Sequence, residues 1–226
     1  MNTNIRDYNN AERLAEEAHS REWEDLKEVF TALPVYLKPS DQAGIKGKPI
    51  FDPIATNAFI KSRLQSKGWN SNIPIPERYR FIGTDIDLGK NGVIVEVQFS
   101  NYPFLLNNTL RSELFYKAEV EVASGKTSLI VIITKGHMFP ASNSTLYYEQ
   151  AKNQLDALAE HNVFRVPIRL VGLIAPMGEN LPAIWTVYRE ARYSRTIRVQ
   201  RHIRCDIRRG RSDQSRCTIT IRRKPR

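Results

Sequence analysis

The chain has 226 residues, 41% hydrophobic and 26% charged, with a formal net charge of +10. That composition excludes wholesale disorder, and the length allows one full domain or one domain with a small appendage. The charge is lopsided: from Arg189 to Arg226 stand 14 Lys and Arg against Glu190, Asp206 and Asp213. So basic a last sixth points to a polyanion partner, nucleic acid foremost, with a merely solvated tail as the plainer reading. The longest clean apolar run, residues 129–133, falls far short of the ~20 residues a membrane span needs, and the first residues carry no apolar leader. A cytoplasmic protein without a membrane segment is expected.

Residues 11–31 place Leu14, Ala18, Trp23, Leu26 and Phe30 at helical spacing, and Leu33-Pro34 ends the run. Residues 35–80, punctuated by prolines and glycines, read as loops around one helix near 56–67. Residues 79–88 and 93–99 read as strands joined by the turn Gly89-Lys90-Asn91-Gly92. Asn107-Asn108-Thr109 is set to cap a helix running to about Val120. Residues 127–134 are apolar on both faces, which places that strand inside a sheet. A helix over 146–160 and a buried strand over 166–174 follow.

This order predicts an α/β fold, a mixed central β-sheet flanked by helices, over residues 1–188. In the tail, period-two alternation over 196–208 predicts a strand with one apolar and one largely basic face. Residues 218–221 can pair back onto it. The expectation for 189–226 is a small basic β-subdomain that contacts DNA.

The two cysteines, Cys205 and Cys217, form no CxxC pair, and the four histidines are scattered, so no zinc pattern emerges. No phosphate-binding or dinucleotide-binding glycine loop is present. The informative stretch is 83–101, where Asp87 closes one strand and Glu96 and Gln98 share one face of the next. A carboxylate inside an apolar strand costs several kcal/mol unless it is paired or binds metal. Asp87 and Glu96, brought together across a hairpin, offer hard oxygens for Mg²⁺. The competing reading leaves Asp85 and Asp87 as turn caps and Glu96 paired with a lysine.

Asp87 followed by Glu96-Val97-Gln98 resembles the PD-(D/E)xK nuclease motif, with Gln98 in place of the usual lysine. With residues 99–108, 133–144, 146–150, 167–174 and 192–197, the text is similar to the BglII-type type II restriction endonucleases over roughly 35–197. That resemblance implies Asp87 as a direct Mg²⁺ ligand, beside the backbone carbonyl of Val97. Glu96 would hold metal-bound and attacking waters, Gln98 would orient the nucleophilic water, and Asn72 would support the site from behind.

For recognition, the resemblance implies Ser100 and Asn101 at inner base pairs and Asn143 and Ser144 at outer ones, with Tyr193 and Arg195 approaching from the other side. On local pattern alone, Asn143 and Ser144 serve equally well as a helix cap. The resemblance further implies a bacterial homodimer on double-stranded DNA that cuts AGATCT after the first A, leaving 5′ overhangs. A cognate methyltransferase would protect the host's own sites. A structure-selective repair nuclease and a non-enzymatic DNA-binding regulator are the alternatives, separated by plasmid digestion and end sequencing.

Overall fold

A computed structural model describes residues 1–142, 145–190, 196–210 and 216–222. The chain opens with β1 (Asn2–Tyr8), then the short α1 (Ala11–Arg13), which widens into a π-helical turn (Leu14–Ala18) before α2 (Ser20–Ala32). Next come β2 (Val35–Pro39), β3 (Pro49–Phe51), α3 (Pro53–Gln65), β4 (Asn70–Pro74) and a 3-10 segment (Glu77–Ile82). The hairpin β5 (Asp85–Lys90) and β6 (Val93–Val97) leads into α4 (Pro103–Lys117) and the small ladder β7 (Glu121–Val122) and β8 (Gly125–Lys126). The remaining elements are β9 (Leu129–Lys135), α5 (Tyr148–Glu160), β10 (Ile168–Ile174), β11 (Gly178–Tyr188), β12 (Ile197–Arg208) and β13 (Thr218–Ile221).

Six strands form the central sheet in the order β1-β10-β9-β6-β5-β4. β6, β9 and β10 run parallel, and antiparallel neighbours close both edges. Every residue of β9 is buried, because both faces of the sheet are covered. On one face, Ile94, Ile130, Ile132 and Leu170 pack against Leu105 and Phe115 of α4 and Ala151 and Leu155 of α5. On the other, Val93, Val95, Val131 and Ile133 share a cluster with residues of α2 and α3 and with the second sheet. Each fully buried aliphatic side chain contributes about 1.5–3 kcal/mol through its removal from water. The expected mixed α/β architecture is thus present.

Several local expectations shift. The β5–β6 turn is tighter than the four residues expected: Asn91 and Gly92, at φ 49° and 81°, make the two-residue turn whose twist matches paired strands. Residues 79–82 belong to the 3-10 segment, not to a strand. Pro103 opens α4 at the first helical position, where a missing N–H costs nothing, so the helix begins before Asn107 and Asn108 is interior. Residues 35–80 carry three short strands besides their helix.

β1 went unread because its text, NTNIRDY, is polar and mostly exposed. Register and charge hold it in place. Arg169 of β10 donates to both oxygens of Asp7, at 2.7 and 3.0 Å, and to Glu16 at 2.9 Å, over the ring of Trp23.

The tail strand pairs as expected: β12 lies antiparallel to β13, with Cys205 opposite Ile221. The boundary read at residue 188 falls between β11 and β12, which pair from Gly178↔Ile207 to Tyr188↔Ile197. They belong to the second sheet, ordered β13-β12-β11-β2-β3. Cys205, Ile207, Cys217 and Ile219 lie in the same apolar cluster as Trp23 and Val95. The apolar face is buried only toward the end of β12, for Ile197 and Val199 are exposed.

Candidate active site

The hairpin register, Leu88↔Val95, sets Asp87 across from Glu96. Asp87 lies inside β5 and does not close it as expected; it accepts a hydrogen bond from the Val97 backbone N–H at 2.9 Å, which ties the strand to the residue between Glu96 and Gln98. Burial raises the Asp87 carboxyl above its ordinary range, opposed by that N–H and by the charge of Lys61. Glu96 is 4% exposed, and burial pushes it up to about 8 against the pull of Arg111, with Asp87 adding to the rise. Two desolvated carboxylates thus stand across the hairpin from each other, and among the described residues Asp87 has no ion-pair partner. That donor set fits a hard divalent cation, which takes one or two carboxylates and fills its other positions with water and phosphate.

Sequence reasoning missed Arg111. It stands on α4, is 7% exposed, and forms an ion pair with Glu96 while reaching toward the Asp85 carbonyl. Gly83 makes room for it: at φ 142° a Cβ there would come within 2.6 Å of the guanidinium. The signal lay in α4 itself, where Asn108 and Arg111, three residues apart, share a face with Leu105 and Phe115. Lys61 of α3, also missed, donates to the Asn72 side chain at 2.5 Å. Asn72 takes a positive φ of 49° in β4, between Ser71↔Leu88 and Ile73↔Ile86, and so stands opposite Asp87.

Gln98 continues β6, and both ends of its amide are engaged. Its Nε2 donates to the Ser100 carbonyl at 2.6 Å, and its oxygen accepts from Asn108 at 3.2 Å. The glutamine therefore shapes the backbone turn that presents Ser100 and Asn101, both exposed. Asn101 has φ 54°, and its carbonyl accepts from Phe104 N–H at the start of α4. Ser100 bridges to Thr145, which brings the chain just after Asn143-Ser144 beside the end of β6. Asn143, Ser144, Tyr193 and Arg195 themselves lie outside the described residues.

A mixed sheet that presents paired acids from a hairpin, with polar residues leaving the same strand, has the build of the restriction-endonuclease-like hydrolases. Comparison with known proteins narrows this. The family model for restriction endonuclease BglII/BglIII matches residues 3–173. The chain is 54% identical over 197 residues to the type II restriction enzyme BglII of Bacillus subtilis, covering 87% of each. It superposes on BglII crystallised with a DNA 16-mer with TM-score 0.93 at 48% identity, covering 98% of this chain and all of that one. Free BglII superposes with TM-score 0.75 at 47% identity over the same shares. The chain belongs to the BglII/BglIII restriction endonuclease family and is a type II site-specific endonuclease.

Proposed function

We propose that this enzyme is a Mg²⁺-dependent homodimer that cleaves double-stranded AGATCT after the first A, leaving 5′ overhangs. The observation that carries the chemistry is the Asp87–Glu96 pair, held across the hairpin with the Val97 N–H bonded to Asp87. Asp87 and the Val97 carbonyl would hold the ion, and Glu96 would reach it through water. When bound, the ion supplies the Lewis acidity that phosphodiester hydrolysis needs. Asp87 and Glu96 fix its place, and Arg111 keeps Glu96 on the strand's inner side. Asn72 supports the site through Lys61, whose charge reaches Asp87.

Base reading is assigned to Ser100 and Asn101 at the inner pairs and Asn143 and Ser144 at the outer ones, with Tyr193 and Arg195 from the opposite side. The identity to BglII and the fold match to its DNA complex support double-stranded DNA as substrate. Two copies suit a palindrome, since one loop set read twice requires two-fold symmetry. α4 offers a surface for that pairing: Tyr102, Leu106 and Leu110, spaced by four, line one exposed stripe. We infer a bacterial cytoplasmic setting with a methyltransferase that protects host sites, a reading that the family membership supports. Among the described residues, no helix is long and apolar enough to cross a membrane.

The test is digestion of a plasmid carrying AGATCT, GGATCC and GGATCT sites in Mg²⁺, followed by sequencing of the ends. Cuts confined to AGATCT after the first A uphold the proposal. Cuts at unrelated positions set by DNA shape, or none in Mg²⁺, overturn it.

A further inference from the structure

The side chain that the proposed chemistry leaves unused is Lys135, the last residue of β9. It is 2% exposed and has no carboxylate partner among the described residues. Its ammonium donates to the carbonyl of Phe99, to the hydroxyl of Thr145 and, at 3.2 Å, to the carbonyl of Leu146. Thr145 in turn donates to the same Phe99 carbonyl at 3.0 Å. The rings of Tyr147, Phe51 and Phe99 surround the nitrogen at 5.1, 5.6 and 5.9 Å. Three acceptors use up three N–H bonds, so the cage is shaped for the charged form.

Such a group is costly. Burial, joined by the charge of Arg216, pulls the ammonium down to about 7. A methionine would fill the same aromatic cage without that desolvation cost but would leave the Leu146 carbonyl without its donor, so the two effects on stability oppose each other. What it supplies is visible in its partners. Phe99 immediately precedes Ser100-Asn101, and Thr145 immediately follows Asn143-Ser144. The bridges Ser100↔Thr145 and Lys135↔Tyr147 flank the same nitrogen.

We infer that Lys135 is a positioning residue for base recognition, a buried cation that ties Phe99, which leads into the inner-reading pair, to Thr145, which follows the outer-reading pair. The inference rests on the base-reading assignment proposed above. Hydrogen bonds to base edges fail when their donors move by a fraction of an ångström, so two segments joined at one atom succeed or fail together.

The test uses full-length K135M and T145V. Each is titrated in Ca²⁺ against AGATCT, a duplex altered at the outer pair, one altered at an inner pair, and a random duplex. K135M is expected to melt within a few degrees of wild type and to bind random DNA within two-fold of it. Its preference for AGATCT over both altered duplexes should fall together, ten-fold or more. T145V removes only the hydroxyl end of the bridge and should lose part of the same preference. It decides the matter if K135M does not fold. Discrimination retained in T145V and in folded K135M, or lost at one position alone, overturns the inference. The base-reading assignment fails separately: in that case wild type shows no preference for AGATCT, or Asn101→Ala and Asn143→Ala leave the preference intact.

Discussion

Arg111 and Glu96 form an ion pair between α4 and β6 in the interior, each less than a tenth exposed. The pair binds the helix that carries the exposed Leu106 and Leu110 to the strand that carries Glu96. Its charge also meets part of the demand that two facing carboxylates create.

Removing one partner of a buried pair leaves the other uncompensated. Arg111→Ala is expected to destabilise the metal-free protein by about 3–5 kcal/mol at pH 9, where Glu96 is charged. At pH 6 the loss should be smaller, because Glu96 then carries its proton. Adding Glu96→Gln should recover most of the difference. Urea unfolding at the two pH values checks this, and an equal loss at both would contradict it.

Asp87 and Glu96 also set how stability responds to pH. Both carboxyls titrate higher in the folded chain than when unfolded, Glu96 at about 8. Between about pH 4.5 and 8 the unfolded chain therefore binds fewer protons, and this contribution to stability falls as pH rises, levelling off above 8. Asp87→Asn keeps an acceptor for the Val97 N–H while removing one charge. It should flatten the slope relative to wild type, raise the melting temperature at pH 8 without metal, and abolish cleavage. Calorimetry in a chelator, with plasmid digestion in Mg²⁺, tests all three; a variant that still cuts removes Asp87 from the site.

The exposed stripe on α4 gives a third test. Leu110, 55% exposed, sits opposite the face that carries Arg111 and Asn108. Leu110→Glu is expected to leave the melting temperature within a few degrees of wild type and to shift sedimentation from dimer to monomer. Double-strand cleavage should fall at least a hundred-fold. A variant that stays dimeric at micromolar concentration moves the interface elsewhere.

How far the sequence could be read follows from where the signals lay. β9 and β10 are apolar runs buried on both faces, and α5 shows a clear stripe, so all three were legible. β1 has no apolar pattern; pairing with β10 and the Arg169 charge cluster place it, and both are long-range. The acids at 87 and 96 were legible as neighbours across a hairpin, but their register was not, because the two-residue turn that sets it was read as four residues. Arg111 and Lys135 were not. Arg111 is a lone cation on a helix read from its cap, and Lys135 falls just past the strand read over 127–134; their partners lie 15 residues away for Arg111–Glu96 and 36 for Lys135–Phe99.

The basic tail divides into arginines that serve the fold and arginines with no ion-pair partner among the described residues. Arg208 and Arg222 both pair with Glu179 at 2.9 Å, and Arg222 also holds Asp206 at 2.6 Å, joining β11, β12 and the end of β13. Arg198 and Arg201, exposed on the first half of β12, have no ion-pair partner among the described residues. Each phosphate neutralised contributes about −0.9 to the log–log salt dependence of binding, whatever the base sequence. Replacing Arg198 and Arg201 with Gln should therefore weaken cognate and random duplexes alike and flatten the slope by about one to two. Arg208→Gln should lower the melting temperature slightly and leave the slope nearly unchanged. Asn101→Ala should instead cost roughly 1–3 kcal/mol on cognate DNA alone. Binding in Ca²⁺ across a salt series distinguishes these outcomes. A tail variant that loses discrimination while keeping its slope would move sequence reading into β12.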